Sequence, residues 1–274
     1  MTVKDWLISH SQKLQETGIE SARLDCLLML ENILAKDRTW ILANQNHIIA
    51  PVETQKLKKL FKQRFQHIPM AYILGECEFY GRKFVVSPSV LQPRPESEAF
   101  FDLLPMALKY SNKALIADLG CGSGALGITA ALEYPKSTVD LIDIDSKALE
   151  IAKINAKKFT TDVGIIKSDL LSNASKAYDV MLCNLPYVPD DYPVNQATTH
   201  EPAIALYGGS DGLAVYRKLA DELEDVKKRP LYLLIESLEL QHPEVAAIFR
   251  KLDYKLVKTS GLVQLFEFKS HYVI

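Results

Sequence analysis

From residue 1 to about residue 70 the apolar positions recur three and four apart, the spacing of one helix face, and no convincing strand pattern interrupts them. In GIESARLDCLLMLENIL, Leu24, Leu27 and Leu28 begin such a stripe, and Ser21 stands where a helix cap is needed. In ETQKLKKLFKQRF, Leu57, Leu60, Phe61 and Phe65 form a second stripe, with lysines, Gln63 and Arg64 around it. This predicts a small helical domain over residues 1–70, its lysines read as the solvated side of an amphipathic helix. The segment AYILGECEFYGRKFVVSPSVLQPRPESE breaks into short runs punctuated by Gly and Pro, which predicts a hairpin linker over 71–95.

Over residues 96–274 the pattern alternates between apolar runs of strand length and helical stretches. Strands are predicted at ALIADLG, TVDLIDID, VGIIKSD, YDVMLCN and PLYLLIES, with helices ending near 134, spanning Ser146 to about Phe159, and lying near 240–252. Such alternation implies an α/β fold, a largely parallel sheet covered by helices on both faces. YKLVKT and LVQLFEF, joined by a tight Ser-Gly link, predict a terminal antiparallel hairpin that brings the count to seven strands.

Composition narrows the class. A length of 274 residues suits one core domain with a smaller companion. The formal charge of −2 gives no global reason to grip a phosphate backbone, so nucleic acid is not expected as a partner. Cys26, Cys77, Cys121 and Cys183 form no CxxC pair, which fits a reducing compartment. No segment is apolar over the roughly 20 residues a membrane span needs, and a cytoplasmic protein is expected. The histidines show no HExxH spacing, so no metal is expected.

Three strand ends carry the candidate chemistry. The first runs into DLGCGSGALGI, where Gly120, Gly122 and Gly124 let the backbone turn tightly and let a ligand approach closely; Cys121 and Ser123 lie inside the same loop. A glycine-rich turn alone is a weak signal, but about twenty residues later the second strand delivers Asp143, which can accept hydrogen bonds from two ribose hydroxyls. As an alternative, Asp143 could cap the helix beginning at Ser146, a role Asp145 can fill instead. The third strand ends at Asp169, within reach of an exocyclic amine, with Leu170 available to pack on an adenine face. Asp118 either orients the glycine loop or meets the cationic part of the ligand. There is no GK[ST], which argues against a triphosphate.

The fourth strand stops on CNLPYVP. Pro186 and Pro189 donate no ladder hydrogen bond, so Asn184 sits at a strand's carboxyl end, the edge at which open α/β sheets bind ligands. Farther on, HEP and GGSDGL supply Gly208, Gly209 and Gly212 to break structure and Asp211 to cap a helix beginning near it. Arg94 and Glu98 in QPRPESE either rim a pocket or pair with each other.

The order PMAYILGECEFYG, VLQPRPESE, DLGCGSGALGI, DIDSKALEIAKINA, NLPYVP, EPAIALYGGSDGL resembles the HemK/PrmC family of protein-glutamine methyltransferases, which modify the GGQ loop of peptide chain release factors. The resemblance implies a class I S-adenosyl-L-methionine-dependent fold and a helical amino-terminal domain that recognises the substrate. It implies a cofactor site made of Asp118, Gly120, Cys121, Gly122, Ser123, Gly124, Asp143, Asp169, Leu170 and Asn184. It implies a catalytic Asn184, Leu185, Pro186 and Tyr187: the Asn184 amide oxygen and the Leu185 carbonyl each accept an N–H of the substrate glutamine, and Tyr187 forms a flat wall. The expected partner is a release factor, without membrane or nucleic acid, and the expected state is a monomer. Two departures stand out. Leu185 occupies a position that is usually proline, and the tail lacks a Gly/Arg-bearing segment. NLPY is also found in rRNA adenine dimethyltransferases, so an adenine-N6 methyltransferase and a catalytically impaired relative remain as alternatives.

Overall fold

The computed structural model describes residues 1–109, 113–174 and 176–269. The chain divides into two compact units, one made of residues 1–75 with 195–200, the other of residues 76–194 with 201–274.

The first unit is helical: α1 (Val3–Glu16), α2 (Ala22–Leu34), α3 (Arg38–Ala43), α4 (Pro51–Phe65) and α5 (Met70–Leu74). Thr2 and Asp5 close a reciprocal capping box on α1, Asp37 caps α3, and Pro51 opens α4 at the position where its missing N–H costs nothing. The core gathers Trp6, Leu14, Met29, Leu30, Ile41 and Leu57. The stripes predicted above are rotated in detail. Leu24 and Phe65 are exposed, and Arg64 is buried, its Nε donating at 2.6 Å to Oδ2 of Asp25 on α2. Ser21 occupies the cap position of α2 without capping it, because its hydroxyl donates to the same Asp25 carboxylate. Residues 71–74 are helix, not the start of a hairpin. His200 joins this unit through a contact of 3.0 Å between its Nε2 and the Gln66 carbonyl.

The second unit opens with the hairpin β1 (Glu76–Phe79) and β2 (Arg82–Val85), paired antiparallel across Tyr80 and Gly81. Both turn residues have positive φ, 50° and 69°, the conformation that matches strand twist in a two-residue turn. A 3₁₀ turn, Pro95–Ala99, leads into α6 (Phe100–Ala107). No helix is predicted there, since Pro105 inside it removes a donor; the burial of Phe100, Phe101, Leu103 and Leu104 outweighs that loss. Then follow β3 (Leu115–Leu119), α7 (Ala125–Glu133), β4 (Thr138–Asp143), α8 (Ser146–Lys158), β5 (Gly164–Lys167), β6 (Val180–Cys183), α9 (Ala214–Asp225), β7 (Tyr232–Glu236), α10 (His242–Arg250), β8 (Tyr254–Ser260) and β9 (Val263–Phe268).

These seven strands form one sheet in the order β5-β4-β3-β6-β7-β9-β8, parallel except for β9, which runs antiparallel to both neighbours. Alternate residues of each strand feed opposite layers. Ile116, Leu141, Leu182 and Leu234 pack with α6, α7 and α8, while Ala117, Ile142, Met181 and Leu233 pack with α9 and α10. Because both faces are covered, β6 and β7 are buried at every position, which is why they read as continuous apolar runs. The winding reverses between β3 and β6, the switch point at which such sheets open a crevice outside the carboxyl ends of their strands. Among the described residues no helix is long and apolar enough to cross a membrane.

Candidate functional site

A cavity of about 220 Å³ opens at that switch point, and it is lined from the ends of β3, β4, β5 and β6. The chain leaves β3 through Gly120, Gly122 and Gly124, all at positive φ. Glycine is required twice over at Gly120, where φ is 67° and an added Cβ would stand 3.0 Å from Leu185 Cδ2. The loop is pinned by its own backbone. Gly122 N–H donates to Asp143 Oδ2 at 2.9 Å, Cys121 N–H to the Ile142 carbonyl at 3.0 Å, and Gly124 N–H to the Cys121 carbonyl at 2.7 Å.

Asp143 takes a second backbone N–H, from Asp145, on Oδ1 at 2.8 Å, so each of its oxygens keeps a lone pair for a ligand. The cap of α8 is Asp145, whose carboxylate accepts from Lys147 N–H. Burial pushes the Asp143 carboxyl above the usual carboxylate range, and the two N–H bonds oppose that shift. Asp118 is 1% exposed and accepts from Gly127 N–H at 2.8 Å, which ties the loop to the first turn of α7. Burial pushes its carboxyl up to about 7, the Gly127 bond pulling down and the charge of Asp143 adding to the rise. Burial likewise raises the Cys121 thiol well above its ordinary value, so it offers no reactive thiolate.

Of the residues singled out in the sequence, the structure gathers Asp118, Gly120, Cys121, Gly122, Ser123, Asp143, Asp169, Leu170, Asn184, Leu185 and Pro186 around this one cavity. Gly124 and Tyr187 are not among its lining residues. Gly124 is instead the amino cap of α7, where an added Cβ would press on Ile128 Cδ1 at 3.0 Å. Asp169 is paired with Lys218 of α9, and Leu170 is buried at the positive φ of 46°. Arg94 lines the cavity but pairs with Glu201, Nη2 to Oε1 at 2.7 Å, and not with Glu98, which accepts the Tyr80 N–H. Among the described residues no group of three or more His, Cys, Asp or Glu side chains is disposed to hold a metal ion.

The β6 end is held by side chains that come from far along the sequence. Asn184, half-buried, donates through Nδ2 to Ser97 Oγ at 2.9 Å. Tyr187 directs its hydroxyl to Oε1 of Glu236, the last residue of β7, at 2.9 Å. Tyr216 of α9 donates to the Glu236 and Cys183 carbonyls and accepts the Leu185 N–H, clamping β6 to β7. Behind the turn, Gln241 Nε2 donates to the Tyr187 and Asp211 carbonyls at 2.8 Å each. The GGSDG stretch packs directly on this turn: at Gly212 a Cβ would fall 2.0 Å from the Tyr187 carbonyl oxygen. Asp211 accepts the Leu213 N–H and pairs with Arg217 just ahead of α9. Sequence reasoning missed Ser97, Glu236, Tyr216 and Gln241. The one local signal was a carboxylate ending the apolar run YLLIE.

Two family models match the chain: a PrmC N-terminal domain over residues 5–75 and a methyltransferase small domain over residues 96–201. A release factor glutamine methyltransferase from Coxiella burnetii is 34% identical over 93% of this chain and 92% of its own length. The chain belongs to the release factor glutamine methyltransferase family. A bifunctional methyltransferase from Rickettsia felis is 31% identical over 93% of this chain, which spans only 55% of that longer protein. A methyltransferase structure from Pyrococcus furiosus shares the fold of this family member, with a TM-score of 0.50 at 15% identity over 78% of this chain and 98% of that one.

Proposed function

We propose that the protein transfers a methyl group from S-adenosyl-L-methionine to the side-chain amide nitrogen of the glutamine in the GGQ motif of a peptide chain release factor. The observation that carries this reading is that Asn184, the residue directly after β6, lines the same cavity as the glycine loop and Asp143. The residues present suit the cofactor. The space facing Gly122 is open where a Cβ would stand, Asp143 has free acceptor capacity for ribose hydroxyls, and Asp169 and Leu170 supply an acceptor and an apolar face for an adenine. Bound there, S-adenosyl-L-methionine supplies an electrophilic methyl group on a sulfonium ion.

The protein's task is then to make a poor nucleophile reactive. An amide nitrogen shares its lone pair with the carbonyl, as a peptide nitrogen does. The Asn184 side-chain oxygen and the Leu185 carbonyl oxygen each accept one N–H of the substrate NH₂ group, which holds the nitrogen in place and favours rehybridisation. Fixing the reacting group in this way lowers the barrier by removing orientational freedom, and acceptors already in position stabilise positive charge as it builds on nitrogen. Pro186 holds Leu185 extended, and Tyr187, anchored on Glu236, keeps the turn rigid. No strong base is needed before transfer, because the proton leaves readily from the methylated, cationic nitrogen.

In this reading the helical unit recognises the release factor, and the protein acts as a monomer in the cytoplasm on a protein, not on nucleic acid. The near-neutral charge and the family relationship support that choice. The test is incubation with methyl-labelled S-adenosyl-L-methionine and either a release factor bearing GGQ, its Gln→Ala variant, or total RNA. Label on the intact release factor alone is expected. Label on RNA would establish the adenine-directed alternative, and cofactor binding without transfer would establish an impaired relative.

A further inference from the structure

The chemistry proposed above, on which this inference rests, asks the Leu185 carbonyl to meet one substrate N–H at a fixed place. Pro186 fixes its own φ and keeps Leu185 extended, so the short run from Leu185 to Tyr187 moves nearly as one piece once both of its ends are held. At the first end the Leu185 N–H donates to the Tyr216 hydroxyl over a long 3.3 Å. At the second, Gln241 Nε2 donates to the Tyr187 carbonyl at 2.8 Å.

Main-chain groups alone settle the orientation of the Gln241 amide. Its Nε2 faces two acceptors, the carbonyls of Tyr187 and Asp211, and its Oε1 accepts the Leu238 N–H at 3.0 Å. A backbone carbonyl cannot donate and a backbone N–H cannot accept, so a flipped amide would lose all three bonds. The side chain is buried, which keeps water from replacing them. Gly212 closes the other side of the same carbonyl: a Cβ there would collide with the Tyr187 oxygen and stand 2.5 Å from Gln241 Nε2. Gly208 packs as tightly on the preceding residue, its Cβ position lying 2.5 Å from the Pro186 oxygen. Three segments distant in the chain, the Asn-Leu-Pro-Tyr turn, the GGSDG stretch and the link after β7, thus meet on one amide. Gln241 is not among the residues lining the cavity, so any effect on the reaction passes through the turn. We infer that Gln241 is a positioning residue for methyl transfer: by holding the Tyr187 carbonyl against Gly212, it sets where the Leu185 carbonyl meets the substrate amide.

Two variants of the full chain test this. Gln241→Met keeps a side chain of similar length and removes all three bonds. Gln241→Glu keeps the acceptor for Leu238 and turns the donor end into an acceptor facing two carbonyls. At saturating cofactor and release factor, kcat should fall at least tenfold in Gln241→Met and further in Gln241→Glu, while cofactor affinity by calorimetry stays within threefold in both. A merely structural glutamine would lower the melting temperature without dividing kcat from cofactor affinity in this way. A kcat within threefold of wild type, or an equal loss of cofactor affinity, overturns the inference. A second readout needs no substrate. Val188 and Asp190 donate their N–H groups to the Leu206 and Gly209 carbonyls, and their exchange with deuterium, followed by mass spectrometry, should quicken at least fivefold in Gln241→Met while β3 is unchanged. Unchanged exchange at the turn also overturns the inference; should Gln241→Met fold poorly, Gln241→Glu carries both measurements. If the wild type labels no release factor, the proposed function fails, and exchange still decides whether Gln241 holds the turn.

Discussion

On the β3 and β4 side of the cavity the acidic side chains are held by backbone N–H groups: Gly127 serves Asp118, and Gly122 and Asp145 serve Asp143. On the β6 and β7 side the partners are other side chains, Ser97 for Asn184 and Glu236 for Tyr187, drawn from segments 87 and 49 residues away in the chain. Backbone donors are indifferent to which residue carries them, so the first side depends on glycines that let the main chain turn. The second depends on individual atoms, where one wrong donor or acceptor breaks the pairing.

Substitutions can break this contrast. The largest effect is expected from Asn184→Ala, which removes a preorganised acceptor: kcat for methyl transfer should fall about 10²–10³-fold, the loss typical when one such polar group is deleted. Cofactor affinity, measured by calorimetry, should stay within about threefold; a comparable loss there would erase the division between the two sides. Next comes Asp143→Ala, which should weaken cofactor binding by roughly tenfold or more, the equivalent of a charged hydrogen bond at about 1.5–3 kcal/mol, while kcat at saturating cofactor is largely kept.

Asp118→Asn tests the backbone-held side by pH. The folded carboxyl lies at about 7 against an ordinary 3.8, so between those values the folded protein holds a proton that the unfolded chain has released. Its contribution to stability is therefore full below pH 3.8 and lost as pH rises through 7. Asparagine keeps an acceptor for Gly127 and removes the titration. Its stability relative to the parent should rise between about pH 4 and 7 and level off above that, by on the order of 1 kcal/mol for each pH unit crossed. A flat difference across that range would show that burial is not what controls this carboxyl. The smallest effect is expected from Leu185→Pro. A stiffer unfolded chain contributes about 0.4–1 kcal/mol, the lost N–H bond to Tyr216 offsets it, and transfer should change less than about threefold.

The same contrast explains what could be read without coordinates. The glycine loop, Asp143 and the Asn-Leu-Pro-Tyr turn announce themselves because each is local: glycine spacing, an acid at a strand end and prolines after an apolar run are all visible in a short window. The parallel strands were equally legible, since burial on both faces leaves uninterrupted apolar runs. Ser97 and Glu236 were not, because a pairing between residues so far apart leaves no periodicity. Tyr187 was read as a wall from its ring, whereas its hydroxyl is engaged with a carboxylate that no local pattern links to it. Arg64 looked like one more solvated cation on α4 until the fold turned it inward onto Asp25.

That inward turn bears on how the recognition proposed for the helical unit can be studied. With Arg64 and Asp25 shut away from mobile ions, added salt screens the outward lysines of α4, Lys56, Lys58, Lys59 and Lys62, far more than it screens the contact pinning α4 to α2. Ionic strength thus becomes a dial for the long-range field of this helix, turned without loosening the bundle that presents it.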